Sequence, residues 1–140
     1  VIFASDKAKI GDPHVAVGFV AADGGAAIWP QLVGFARAKE YLLTGDLLTA
    51  KEAAEIGLIN HCVPHDELDV RVDAFCSRLL SGATKAIRWT KATVNVELKR
   101  IAHAVLEAGV PYEALSNYTK DHQEAVAAFR DKRAPKFTGE

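Results

Sequence analysis

One hundred and forty residues, 49% hydrophobic and 25% charged, describe one ordinary globular domain and exclude a disordered or low-complexity chain. A formal net charge of −1 gives neither nucleic acid nor an acidic membrane an electrostatic reason to bind. Cys62 and Cys76 match no metal or redox spacing and read as free thiols, and no window is apolar over the roughly 18 residues that a membrane helix needs. The cytoplasm is the default location.

Val1 to Ser5 predicts a short buried strand, followed by a polar turn over Asp6 to Lys9. Ile10 to Val20 predicts a second extended segment through Pro13, with Val15, Val17, Phe19 and Val20 as a buried strand that Asp23-Gly24-Gly25 stops. Pro13 restricts its own φ and pushes Asp12 toward extended geometry, so His14 leaves a stiff corner. Ala26 to Trp29 predicts a helix that Pro30 ends. Phe35 to Leu43 predicts another, with Gly34 before it and Thr44-Gly45-Asp46 after it.

Thr49-x-x-Glu52 is a capping box that starts the next helix, and Gly57 is placed to close it in a left-handed turn. Leu58 to Val63 is a last extended piece, closed by Pro64. Beyond it only helices are expected: one capped by Asp66 or Asp69 and running to Leu80, one over Ala83 to Val96, and an amphipathic one over Leu98 to Ala108 with Ile101, Val105 and Leu106 on one side. A restart after Pro111 runs to Tyr118, and a final helix begins at Asp121 with Glu124 and reaches Lys132. Two or three strands cannot shield both faces of a parallel sheet, so the pattern is that of half a domain.

Polar groups cluster at the ends of the Val15–Val20 segment. His14 stands before it and Asp23 after it, and a carboxylate can orient an imidazole as a base if the two converge. Each has a plainer reading beside this one. Asp-Gly-Gly is a turn signal in its own right, Asp23 can cap the following helix, and a lone histidine after proline is commonly a solvated loop residue. His61, His65, His103 and His122 form no metal spacing with nearby acids and read as surface or capping residues.

Three blocks carry a resemblance. Gly11-Asp12-Pro13-His14, Val17-Gly18, Asp23-Gly24-Gly25 and Trp29-Pro30 form the first. Leu42-Leu43-Thr44-Gly45-Asp46 with Ala50, Ala53-Ala54 and Gly57-Leu58-Ile59-Asn60 form the second, and Ala128-Phe129-Arg130-Asp131-Lys132-Arg133 to Phe137 the third. In register over essentially the whole chain, they resemble the crotonase (enoyl-CoA hydratase/isomerase) superfamily from the middle of its pattern onward. The chain therefore looks like the C-terminal half of such an enzyme. The resemblance implies an α/β, ClpP/crotonase-like fold, with part of the stacked βαβ core over residues 1–64 and a helical trimerisation region over 65–140.

It also implies an acyl-CoA substrate held as an enolate by two backbone N–H donors, both expected upstream of Val1. No metal or redox cofactor is implied, and the expected partner is a second copy of the chain, as a trimer or dimer of trimers. His14 takes the place of one of the two glutamates of the hydratases, as base or water-positioning group, with Asp23 as its partner. Gly24 and Gly25 match a loop over the acyl pocket, with Trp29 beside it. Phe129 and Lys132, three apart and so on one helix face, match positions near the CoA nucleotide; their plainer reading is a packed Phe and a solvated Lys. Two other readings stand: His14 and Asp23 also resemble the dyad of the branch that hydrolyses C–C bonds in cyclic β-diketones, and an inactive fragment would serve packing alone.

Overall fold

The computed structural model describes residues 1–140. In chain order the elements are β1 (Phe3–Ser5), β2 (Lys9–Ile10), a 3-10 turn (His14–Val17), α1 (Gly25–Val33), α2 (Phe35–Thr44), β3 (Leu48–Thr49), α3 (Ala50–Glu55), β4 (His61–Val63), a second 3-10 turn (His65–Glu67), α4 (Leu68–Leu80), α5 (Thr84–Ser116) and α6 (Lys120–Arg130). The four strands make two separate pairs. β1 runs parallel to β4, with Phe3 opposite His61, and β2 runs antiparallel to β3, with Lys9 opposite Thr49. No helix is long and apolar enough to cross a membrane.

Two compact units result, Val1–Ile10 with Leu48–Ile101, and Gly11–Leu47 with Ala102–Glu140. One of the divisions falls inside α5, and the last strand, β4, ends just before residue 64. In the first unit, Leu48, Ala50, Ala53, Leu58 and Ile59 are buried. α3 has the expected capping box: Thr49 Oγ1 accepts from Glu52 N at 3.2 Å, and Glu52 Oε2 accepts from Thr49 N at 2.7 Å. Gly57, at φ 81°, closes the helix in the left-handed region. α4 departs from expectation, because neither Asp66 nor Asp69 caps it. Its N-cap is Glu67, which makes no side-chain cap bond; the second 3-10 turn feeds the helix directly, with Glu67 N bonded to Pro64 O at 3.0 Å.

The second unit corrects the reading of Val15–Val20. These residues form no strand. Ala16 N bonds Pro13 O at 3.0 Å, Gly18 N bonds Val15 O at 3.2 Å and Phe19 N bonds His14 O at 2.9 Å, so the backbone donors are met locally and no strand edge is needed. Gly18 reverses the chain at φ 70°, and a Cβ there would lie 2.8 Å from His122 N, so the turn seats directly on the start of α6.

Pro30, expected to end a helix, and Pro111, expected to precede a new one, both lie inside helices. α1 continues through Pro30 to Val33, burying Gly25, Ala27 and Trp29. α5 continues through Pro111 to Ser116. Each proline removes a single i→i−4 bond, and packing on either side holds the helix together. On α5, Gly109 approaches so closely that a Cβ would lie 2.9 Å from the Ala22 Cβ, and the Ser116 hydroxyl accepts from Val20 N at 3.4 Å. α6 is capped by Thr119, whose hydroxyl accepts from His122 N at 3.1 Å, and not by Asp121, which instead accepts from the backbone of Thr138 and Gly139.

Candidate active site

His14 opens the 3-10 turn that follows Pro13, half-buried with its side chain 30% exposed. Its Nδ1 donates to Asp12 Oδ1, and its Nε2 lies 3.9 Å from Asp23 Oδ1. The structure thus brings His14 and Asp23 together without the intervening strand that the sequence suggested. The reading of Asp23 as a helix cap does not hold, because the N-cap of α1 is Gly24 and no side chain caps it.

The Asp12 hydrogen bond is the main force holding the His14 imidazole above its usual pKa. Burial opposes it, and the charges of Asp12, Asp23 and Glu113 reinforce it. Glu113 reaches the site from α5, with its Oε2 buried and unpartnered. Donor atoms of Asp12, His14 and Asp23 lie within 4.8 Å of one another. With Nδ1 committed to Asp12, however, Nε2 and Asp23 are too few for a four-ligand structural zinc centre.

Beside this cluster lies an apolar cleft of about 320 Å³, lined by Val15, Phe19, Val20, Ala21, Ala26, Lys39, Leu42 and Leu43. Phe19 joins the two, presenting its ring edge-on to His14 with centroids 6.4 Å apart. From the other side the His122 ring packs on Phe19 at 4.1 Å, and His122 Nδ1 donates to Val17 O at 2.8 Å. A smaller hollow of about 220 Å³ opens against Pro13, His14, Ala16 and Val17.

The other residues singled out from sequence fall as follows. Gly24 is the N-cap residue of α1, and Gly25 is buried where a Cβ would overlap the Asp12 carboxylate and Leu42. Trp29 is buried against Tyr41, with ring centroids 6.2 Å apart, and is not among the cleft-lining residues. Phe129 is 86% exposed on α6. Lys132 lies beyond the end of that helix in the left-handed region at φ 54°, so the two do not share a helix face. The cause is Arg133, which grips Glu124 with two bonds of 2.5 and 3.0 Å and turns the chain back along α6.

Three neighbours of His14 or its turn were missed from sequence: Asp12, Glu113 and His122. Only Asp12 carried a signal, since Asp-Pro-His sets an acid and an imidazole two residues apart across a rigid corner. Glu113 and His122 arrive from helices about a hundred residues further along the chain.

Comparison with known proteins gives a consistent result. A family model described as enoyl-CoA hydratase/isomerase matches residues 1–140. A probable enoyl-CoA hydratase of Mycobacterium bovis is 34% identical over an alignment 142 residues long, which covers 99% of this chain and 54% of that protein. A short-chain-enoyl-CoA hydratase of Clostridioides difficile is 34% identical over 131 residues, 91% of this chain and 82% of that one. Among solved structures, an enoyl-CoA hydratase from Mycobacterium avium subsp. paratuberculosis superposes with a TM-score of 0.90 at 30% identity, over 99% of this chain and 56% of that chain. The chain spans about half the length of most of the curated relatives it matches.

Proposed function

The chain belongs to the enoyl-CoA hydratase/isomerase family, and from that premise we propose that it acts on an acyl-CoA thioester with His14 as general base. The observation that carries this reading is an imidazole lying between two carboxylates, hydrogen-bonded to one of them, at the edge of an apolar cleft. In hydration, His14 Nε2 takes a proton from water as the oxygen adds to the β-carbon. The electron pair of the double bond moves toward the thioester carbonyl as an enolate, and a proton delivered to the α-carbon restores the carbonyl. Asp23, beside Nε2, serves as the second acid/base group. In isomerisation the same pair moves a proton between carbons, with no water added.

The cleft takes the acyl group. At about 320 Å³ it is near the lower end of ligand pockets, which favours a short chain, as the name of the clostridial relative also does. Gly24, Gly25 and Trp29 belong to the loop and helix that bring Ala26 to the cleft wall. The exposed Phe129 ring and Lys132 cation offer a surface for the CoA nucleotide. The thioester is substrate, and no metal or redox cofactor enters the scheme. Further copies of the chain, as a trimer or dimer of trimers, are the proposed partners.

The approach of His14 Nε2 to Asp23 also favours a second reading, in which the pair activates water to cleave a C–C bond of a cyclic β-diketone. Assay of the full chain with crotonyl-CoA and with a cyclic β-diketone separates the two. Under the first reading His14→Ala lowers kcat for the enoyl-CoA by about 10²–10⁴-fold, and Lys132→Ala weakens CoA binding. Enoyl-CoA turnover unchanged by His14→Ala removes the first reading; diketone turnover alone, lost with His14, establishes the second.

A further inference from the structure

We infer that Asp12, and not Asp23, is the carboxylate that positions the His14 imidazole, accepting Nδ1–H and leaving Nε2 as the nitrogen that meets the reacting proton. This rests on the reading of His14 as the base. Three observations carry it. Asp12 Oδ1 is in direct hydrogen-bonding contact with Nδ1, whereas Asp23 Oδ1 stands 3.9 Å from Nε2, beyond a direct hydrogen bond. The Asp12 side chain is 10% exposed and the Asp23 side chain 62%, so only Asp12 is held by its surroundings. Finally, the space for Asp12 is built into α1: a Cβ on Gly25 would overlap Asp12 Oδ2 and lie 2.8 Å from Leu42 Cδ2.

The two ends of the imidazole therefore have different tasks. A buried carboxylate behind Nδ1 fixes the tautomer and ring orientation and supports the imidazolium once Nε2 has taken a proton. A solvated carboxylate beside Nε2 cannot fix orientation, but it is placed to pass a proton onward. The charged groups around the ring are Asp12, Asp23 and Glu113, all acidic, and together they favour the protonated imidazole against the opposing effect of burial.

The test reads the His14 ring nitrogens by ¹⁵N NMR across pH in the full chain, with steady-state kinetics on crotonyl-CoA alongside. Wild type is expected to hold neutral His14 as the Nδ1–H tautomer. Asp12→Asn removes the carboxylate charge that holds Nδ1–H and offers an amide that can also donate, and it is expected to shift the population toward Nε2–H. Gly25→Ala leaves the carboxylate chemically intact but displaces it, and is expected to do the same, keeping the inference testable if one variant fails to fold. Asp23→Asn retains the wild-type tautomer. In Asp12→Asn, kcat falls about 10²-fold or more with KM changed by no more than about twofold. An Nε2–H tautomer in wild type, or an Nδ1–H tautomer that survives in both Asp12→Asn and Gly25→Ala, overturns the inference. Full turnover by His14→Ala would overturn the base reading alone, and the tautomer data would still decide the role of Asp12.

Discussion

His14 shows how one residue's chemistry depends on neighbours on both sides of it in the chain. The Asp12 hydrogen bond raises its pKa above 6.5, with the charges of Asp12, Asp23 and Glu113 adding to the shift. A raised folded-state pKa means that the stabilisation is fully present below the unfolded value near 6.5 and is lost as pH rises through the folded value. Unfolding midpoints of wild type are therefore expected to fall relative to Asp12→Asn as pH rises above about 6.5. A rate that needs neutral Nε2 has the opposite slope, rising with pH through the same raised value, and Asp12→Asn moves that limb to lower pH. Titrating kcat/KM and urea midpoints together checks both signs; limbs that coincide in the two proteins would show that Asp12 does not set the pKa. Glu124 behaves inversely. Its clasp with Arg133 lowers its pKa from 4.5 to about 2, so the contribution is present above about 4.5 and lost as pH falls toward 2.

Among the elements, the helices whose ends were legible are those whose capping partners lie within four residues. Thr49 and Glu52 satisfy each other's backbone donors, so Thr49→Ala is expected to cost about 1 kcal/mol. Glu52→Gln should cost less, because glutamine can also fill that place in a capping box. A shifted urea midpoint at unchanged slope measures each, and equal losses in the two variants would mean that the Glu52 charge matters more than the reciprocal bonds. The 3-10 turn at His14–Val17 is the opposite case. Alternation of apolar residues there suggested a strand, but alternation specifies a strand only where another edge can pair with it. Here the turn meets its own donors and rests on α6, where Gly18 admits the backbone of His122.

For the whole molecule, the buried apolar residues are mainly alanines with Trp29, Leu48, Leu58 and Ile59, and no large side chain is fully enclosed. Trp89, Val94, Val96, Leu115, Tyr118 and Phe129 are meanwhile exposed. So much large apolar surface left in water marks an interaction surface, and the proposed occupants are other copies of the chain. Sedimentation of the full chain is expected to give a trimer or a multiple of it, weakened by Trp89→Glu. A monomer at micromolar concentration would remove the proposal of self-association.

By itself the sequence determined the family, through three blocks in register that the match over residues 1–140 supports. It also determined the α3 capping box and the glycine turns around α2, and it set Asp23 beside His14 while missing Asp12. These signals are local, a side chain meeting a backbone group or neighbour within a few positions. Only the tertiary structure decided that Pro30 and Pro111 lie within helices, that Val15–Val20 is a turn and bend, and that Lys132 falls beyond α6. It alone showed which carboxylate holds His14 Nδ1. Each of those outcomes is set by partners distant in sequence: Gly25 and Leu42 around Asp12, Ala22 under Gly109, His122 beneath Gly18. Their packing energy exceeds local preference, and no spacing rule along the chain records it.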